Sequence, residues 1–187
     1  MEPERVLRVA HGRRTLDTLR AVAPHVDVDA EVAWLEAAEL ADLDGLVAIP
    51  AAKPLLLGLP AGSWAVVTSG GRTLARRRLE AVDLPVPPVL ITSEDVTRGK
   101  PAPDGYRLAA QRLGHDPASC LAFEDAPPGV AAARAAGARV VALTTTHLAH
   151  QLGEAELVIP DFRGVAVTPT TTGLAVTCGG EWKRLEG

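Results

Sequence analysis

A chain of 187 residues, 47% hydrophobic, suits one compact domain or a domain with a small appendage. Its net charge of −4 carries no block of like charge, which argues against a nucleic-acid partner or an anionic membrane surface, since both need a concentrated basic face. No apolar stretch reaches the roughly 18–20 residues of a membrane helix, and Glu2 and Glu4 interrupt what would have to be a leader, so a cytoplasmic protein is expected.

In chain order, residues 1 to about 47 read as helices only, Val6 to Val22 and then Glu31 to Leu43. They form a small helical module that feeds the rest of the chain through Pro50. From Trp64 the pattern changes. Trp64 to Thr68 is a short apolar run ending in small polar residues, which reads as a buried strand. A helix follows from about Arg72, with Ala75, Leu79 and Val82 on one face, and Pro88 to Ile91 is a second strand. Pro101 and Pro103 punctuate the start of another helix. In it Tyr106, Ala109, Ala110 and Leu113 fall at the spacing of an amphipathic face. A strand at Ser119 to Phe123, an Ala-rich helix to Ala136 and a strand at Arg139 to Leu143 come next. A short helix near Leu148 and a strand at Leu157 to Ile159 complete the series. Aromatic residues make up only 3%, so the core must be built from Leu, Val, Ile and Ala, as in parallel sheets covered by helices. Alternating strands and helices predict an α/β fold with a doubly wound parallel sheet. Val165 to Val167 and Leu174 to Cys178 read as a terminal hairpin. The expected organisation is a partial helical cap at 1–47, an α/β core at 48–160 and a tail at 161–187. Cys120 and Cys178 lie too far apart to suggest a disulfide framework or metal-ligand spacing, and Cys120 reads as a buried filler.

Ligands of open parallel sheets bind at the carboxyl ends of the strands, and three of the predicted ends carry polar groups. After the first strand comes Thr68-Ser69-Gly70-Gly71, where hydroxyls can donate to a phosphate and glycines let backbone N–H groups approach an anion. The competing structural reading makes Ser69 an ordinary helix cap. Of the 19 basic residues only three are lysines, yet one of them, Lys100, sits between Gly99 and Pro101 just before a helix. An ammonium suits a phosphate oxygen as a compact charge, although a solvated loop lysine would look the same. Glu124 and Asp125 follow a buried strand, and adjacent carboxylates repel unless a cation or donors offset them. Hard oxygen ligands there suit Mg2+, while the alternative makes Asp125 the cap of the next helix.

The ordered set resembles the haloacid dehalogenase superfamily of phosphohydrolases. "VVTSGG" looks like its second motif, "GKPAPDGY" its third and "FEDAPPGVAAARAAG" its fourth. Within it the chain is most similar to the glycerol-3-phosphatase and 2-deoxyglucose-6-phosphatase group. "HGRRTLDTLR" matches that group's helical cap, and the likeness runs from about His11 to the tail. The resemblance implies that Thr68 and Ser69 hold a phosphate oxygen and that Lys100 stabilises the charge of nucleophile and phosphoryl group. It implies Mg2+ bound directly by Asp125 with Glu124 assisting, and a cap surface at His11, Gly12 and Arg13 facing a small sugar or polyol phosphate.

The resemblance also implies an Asp nucleophile and an Asp acid/base in an Asp-x-Asp-Gly-Thr loop, forming an aspartyl phosphate that water cleaves. That loop should precede the cap, and this chain opens at Met1 already inside the cap. The expectation is a start placed too late, favoured because the other site residues are intact, or else a shortened and inactive product. Asp42-Leu-Asp44-Gly45 has the carboxylate spacing but reads as a helix end rather than a strand end, and Asp27-Val-Asp29 lacks even the glycine. The strand that carries the loop would lie between those ending at Thr68 and Phe123. Without it those two must pair directly or leave a gap with unmet backbone groups. A non-catalytic phosphate- and metal-binding remnant and a phosphosugar mutase stay open as alternatives. A dehalogenase would not need the full set, and a P-loop is excluded because the glycine five residues before Gly99 is missing.

Overall fold

The computed structural model describes residues 10–171 and 173–179. Helices α1 (Thr15–Val22) and α2 (Val28–Ala41) come first. The expected helix from Val6 is not continuous: its first residues lie outside the described ones, and the chain turns at 11–13. Gly12 takes φ +76° there, a left-handed conformation that interrupts a helix. Helix α2 starts ahead of the predicted Glu31 because the Asp27 carboxylate caps it, accepting from the Ala30 N–H at 3.2 Å. It contains no buried residue, and Trp34 is 65% exposed. A short helix, α3 (Ala52–Gly58), lies where no element was predicted, with Pro54 tolerated in its first turn.

The α/β core then follows the predicted order. Strand β1 (Ala65–Val67) crosses through α4 (Arg72–Ala81) to β2 (Val89–Ile91), its parallel partner. Helix α5 (Asp104–Leu113) leads to β3 (Leu121–Glu124), and α6 (Pro127–Ala136) connects β3 to β4 (Arg139–Leu143). With β5 (Leu157–Ile159) these make a three-stranded parallel sheet in the order β3-β4-β5. Strands β6 (Val165–Thr170) and β7 (Gly173–Cys178) form the predicted antiparallel hairpin. Helix α5 packs on β1 and β2 and against α6, which covers β3 and β4.

Strand alternation sorts the core into two faces. Ala122, Val140 and Ala142 turn toward Val130 and Ala133 of α6, with Tyr106 of α5 packed against the same cluster. Val141, Leu143 and Ile159 turn the other way, toward Ile49, Phe123 and Phe162. Fully buried alanines at 132 and 133 let α6 lie close to the sheet. Cys120 departs from its expected role. It is half-exposed just before β3, with its thiol donating to the Asp116 carbonyl at 3.4 Å.

Among the described residues no ladder joins β1 to β3, so the two parallel sheets stand apart. The Thr68 N–H donates to the Ile91 carbonyl at 2.9 Å, so the Thr68 backbone faces β2. The Cys120 carbonyl accepts from Arg139 N–H at 3.1 Å and faces β4. Backbone direction alternates along a strand, so Val67 on one side and Leu121 and Phe123 on the other turn their peptide groups into the space between. Of the two outcomes the sequence allowed, the described residues show no direct pairing of β1 with β3.

Ile159 is 1% exposed at the centre of one core face, whereas Val47 is 81% exposed. Ile159→Ala is expected to lower the unfolding free energy by about 3 kcal/mol in a urea titration, and Val47→Ala by less than about 0.5 kcal/mol. Equal effects would contradict this placement of the core.

Candidate active site

The carboxyl ends of β1 and β3 open onto one cavity of about 530 Å³, whose lining includes Thr68, Ser69, Lys100, Glu124 and Asp125. The fold thus gathers the three polar strand ends that the sequence singled out. Thr68 lies immediately after β1, and its Oγ1 accepts from the Gly70 N–H at 3.1 Å, closing the turn on the hydroxyl. Ser69 is not a helix cap. Helix α4 is capped instead by Glu94, whose carboxylate oxygens accept from the Arg72 N–H at 3.0 and 3.1 Å. The Ser69 hydroxyl donates to the Gly12 carbonyl at 2.9 Å, which ties the 11–13 turn to the sheet edge. That turn needs glycine for space as well as for φ, since a Cβ on Gly12 would sit 2.9 Å from the Ala126 Cβ. Arg13 lines the cavity, and the ring of His11 stands edge-on to His147 at 5.4 Å. Arg14 fastens the same segment further along. It pairs with Asp17 at 2.7 Å and donates to the Val96 carbonyl at 3.1 Å.

Lys100 is no solvated loop lysine, since its side chain is 12% exposed. Its Nζ donates to the Val67 carbonyl at 3.2 Å, forms an ion pair with the Glu124 carboxylate and lies 5.4 Å from the centre of the Tyr106 ring. Glu124 is the last residue of β3 and, by alternation, lies on the Ala122 face, toward α5 and α6. One of its oxygens takes both the Lys100 ammonium and the Tyr106 hydroxyl. The carboxylate rests directly on Gly129, where any Cβ would overlap it. Asp125, one residue on, has left the strand and turns elsewhere. Its Oδ2 accepts from the Thr145 hydroxyl at 3.4 Å, and its carbonyl accepts from the Thr146 hydroxyl at 2.7 Å. Nδ1 of His147 also lies 3.0 Å from that carbonyl. Asp125 does not cap α6, whose N-cap is Ala126 followed by Pro127.

The two neighbouring carboxylates therefore have different surroundings. Glu124 is neutralised and buried, and Asp125 is left at the cavity. Among the described residues no three His, Cys, Asp or Glu side chains cluster into a cage. Asp42 and Asp44 lie in an exposed turn after α2, with the Asp44 N–H bonded to Asp42 Oδ1 at 3.1 Å, and neither lines the cavity. Sequence reasoning missed Tyr106, Gly129, Arg14 and the Thr145-Thr146-His147 segment. The last carries the same signal used for the others, polar residues at the carboxyl end of a parallel strand. Tyr106 carried one too: a tyrosine on an apolar helix face needs a partner for its hydroxyl.

Gly129→Ala forces Glu124 off its seat and is expected to cost about 2 kcal/mol of stability by chemical denaturation, in the range of core overpacking. Gly58→Ala, where a Cβ meets nothing within 4 Å, is the neutral control. Burial, and then the negative charge of Glu124, push the Tyr106 phenol well above its ordinary value. A phenol raised in this way supports the fold at pH below the unfolded-state value and loses that contribution as pH climbs above it. Tyr106 is the only tyrosine in the chain, so absorbance at alkaline pH reports it alone. Phenolate is expected only with unfolding, at pH above the ordinary tyrosine value of about 10; ionisation in the folded chain near that value would contradict the buried contact.

Residues 4–137 match the family described as haloacid dehalogenase-like hydrolase. Hexitol phosphatase A of Escherichia coli (strain K12) is 39% identical over 181 residues, spanning 92% of this chain and 82% of that protein. Glycerol-1-phosphate phosphohydrolase 2 of Saccharomyces cerevisiae (strain ATCC 204508 / S288c) is 37% identical over 157 residues, or 78% of this chain and 62% of that protein. In three dimensions the crystal structure of a hydrolase from Pseudomonas syringae superposes with a TM-score of 0.72 at 26% identity, covering 86% of this chain and 79% of the other. Profile, relatives and fold agree with the motifs at the sheet edge, and the chain belongs to the haloacid dehalogenase-like hydrolases.

Proposed function

We propose that this chain carries the phosphate- and Mg2+-binding side of a phosphoric monoester hydrolase acting on a small sugar or polyol phosphate. The observation behind this reading is that hydroxyls after β1, an ammonium from the loop before α5 and a carboxylate after β3 meet at one cavity. Two relatives are phosphatases of polyol phosphates by name. In this reading the Thr68 hydroxyl and the backbone N–H groups of the turn after it hold phosphate oxygens. Ser69, bonded to Gly12, keeps the His11-Gly12-Arg13 turn over the cavity, where it meets the polyol. Lys100 supplies positive charge where negative charge develops, held in place by Glu124 and Val67.

The donors present fit Mg2+ in a particular way. Asp125 accepts from the Thr145 hydroxyl and has no ion pair among the described residues, while Glu124 is engaged by Lys100 and Tyr106 and so serves Lys100 rather than the metal. Magnesium keeps several waters and takes one or two carboxylates together with phosphate oxygens, so a single protein carboxylate suits it better than it would suit a caged metal. When bound, the ion would offset charge on the phosphoryl oxygens and align the phosphorus for attack.

Among the described residues three carboxylates line the cavity. Glu39 pairs with Arg78 at 3.4 Å, Glu124 is buried in its own pair, and Asp125 is assigned to the metal. The attacking carboxylate that the family resemblance implies is not among them. A second reading is phosphate and Mg2+ binding by the residues present, without turnover.

Calorimetric titration with orthophosphate tests the shared part. Mg2+ is expected to tighten binding at least about tenfold, or about 1.4 kcal/mol, and Lys100→Met and Asp125→Asn should each remove the gain. Phosphate release from glycerol 1-phosphate and a hexitol 6-phosphate then separates the readings. Mg2+-dependent release that falls about a hundredfold in Asp125→Asn supports the hydrolase. Binding without release supports the second reading, and neither binding nor release overturns both.

A further inference from the structure

The hydrogen bond on the Asp125 carboxylate is long, with the Thr145 hydroxyl 3.4 Å from Oδ2. The direction of this carboxylate therefore rests largely on its backbone, and that backbone is clamped by the loop after β4. The Thr146 hydroxyl donates to the Asp125 carbonyl at 2.7 Å, and His147 Nδ1 lies 3.0 Å from the same oxygen. A carbonyl only accepts, so His147 makes this bond with its proton on Nδ1. Thr146 Oγ1 also stands 2.9 Å from Nδ1, which draws the three groups into one cluster. The His147 ring reaches further. It meets the His11 ring edge-on, with centroids 5.4 Å apart and planes at 86°. His11 belongs to the turn whose next residue, Gly12, sits against Ala126 and accepts from Ser69. The turn thus touches both the residue after Asp125 and the side chain that holds the Asp125 carbonyl.

We propose that His147 is a positioning residue for Asp125 and that it couples the metal site to the turn at 11–13. The proposal rests on Asp125 being the Mg2+ carboxylate. Magnesium demands near-octahedral geometry, so a carboxylate already set in direction binds it with less rearrangement. Groups that hydrogen-bond around a ligating residue set that direction without touching the metal. His147 does so from the backbone side, since a fixed carbonyl limits ψ at Asp125 and with it the course of the side chain. Because the same ring rests against His11, a substrate that settles the turn also settles the ring. Coupling of this kind is reciprocal, so Mg2+ at Asp125 and a polyol phosphate under the turn strengthen each other's binding.

The test is calorimetry on the full chain. Mg2+ is titrated at saturating orthophosphate, and orthophosphate is titrated without Mg2+. His147→Phe keeps a ring and loses the donor. It is expected to weaken Mg2+ at least about tenfold, with orthophosphate alone held within about twofold, and His147→Ala should repeat the loss. His147→Asn keeps a donor near the Nδ1 position and should restore Mg2+ to within about threefold of the unaltered chain. His11→Ala should weaken Mg2+ about threefold by itself and not at all beside His147→Asn, where the ring contact is already gone. An unaltered chain whose orthophosphate binding gains nothing from Mg2+ overturns the metal assignment, and this proposal with it. A normal gain from Mg2+ that survives in His147→Phe and His147→Ala overturns this proposal alone. So does a parallel loss of Mg2+ and orthophosphate binding, which a merely structural role would give. Full additivity of His11→Ala with His147→Asn overturns the coupling.

Discussion

Lys100 reaches across the space between two parallel sheets and ties both of them down, holding the Val67 carbonyl on one side and the Glu124 carboxylate on the other. Tyr106 of α5 donates to the same carboxylate, and Gly129 of α6 lies flat beneath it. One buried charge pair thus sets the spacing of β1, β3, α5 and α6 at the edge where the cavity opens. A pair of this kind is not a strong source of stability, because desolvation offsets most of its Coulomb energy. Its effect is geometric. Removing either partner strands a buried charge, so both side chains stay where they are put. Lys100 is consequently held at the cavity wall by contacts on both sides of the space.

The same constraint explains how two adjacent acids avoid repelling each other. Strand alternation sends Glu124 inward toward α5 and α6, where an ammonium and a phenol neutralise it. Asp125 lies beyond the end of the strand and is steadied by Thr145, with Thr146 on its carbonyl. Each carboxylate has its own partners, and of the two only Glu124 is in an ion pair among the described residues. The turn at His11 to Arg13 is brought over this arrangement by Ser69 and by the close seat of Gly12 against Ala126. The helical segment and the sheet edge therefore share one wall of the cavity, as expected where a hydrolase of this family encloses a small substrate.

Much of this was legible from residue order. Parallel strands and amphipathic helices announce themselves by period, and Arg139 to Leu143 and Leu157 to Ile159 fall where predicted. Thr68, Lys100 and Asp125 could be picked out because polar groups at the carboxyl ends of buried strands are seldom incidental. The helix break at Gly12 was not legible, because a glycine in a helical pattern shows neither its φ nor the Ala126 methyl above it. Nor was the true cap of α4, because Glu94 reaches it from a different part of the chain.

By itself, then, the sequence determined the α/β class, the order of the elements from β1 onward, the polar groups at the sheet edge and the family. All of these rest on local periodicity and on short motifs. The tertiary structure alone decided that Glu124 serves Lys100, that Ser69 holds the turn at Gly12, and that β1 and β3 stand apart with their peptide groups facing. These depend on which residues far apart in the chain come within hydrogen-bonding reach. Such contacts follow from the packing of whole sheets and helices, which no local pattern encodes.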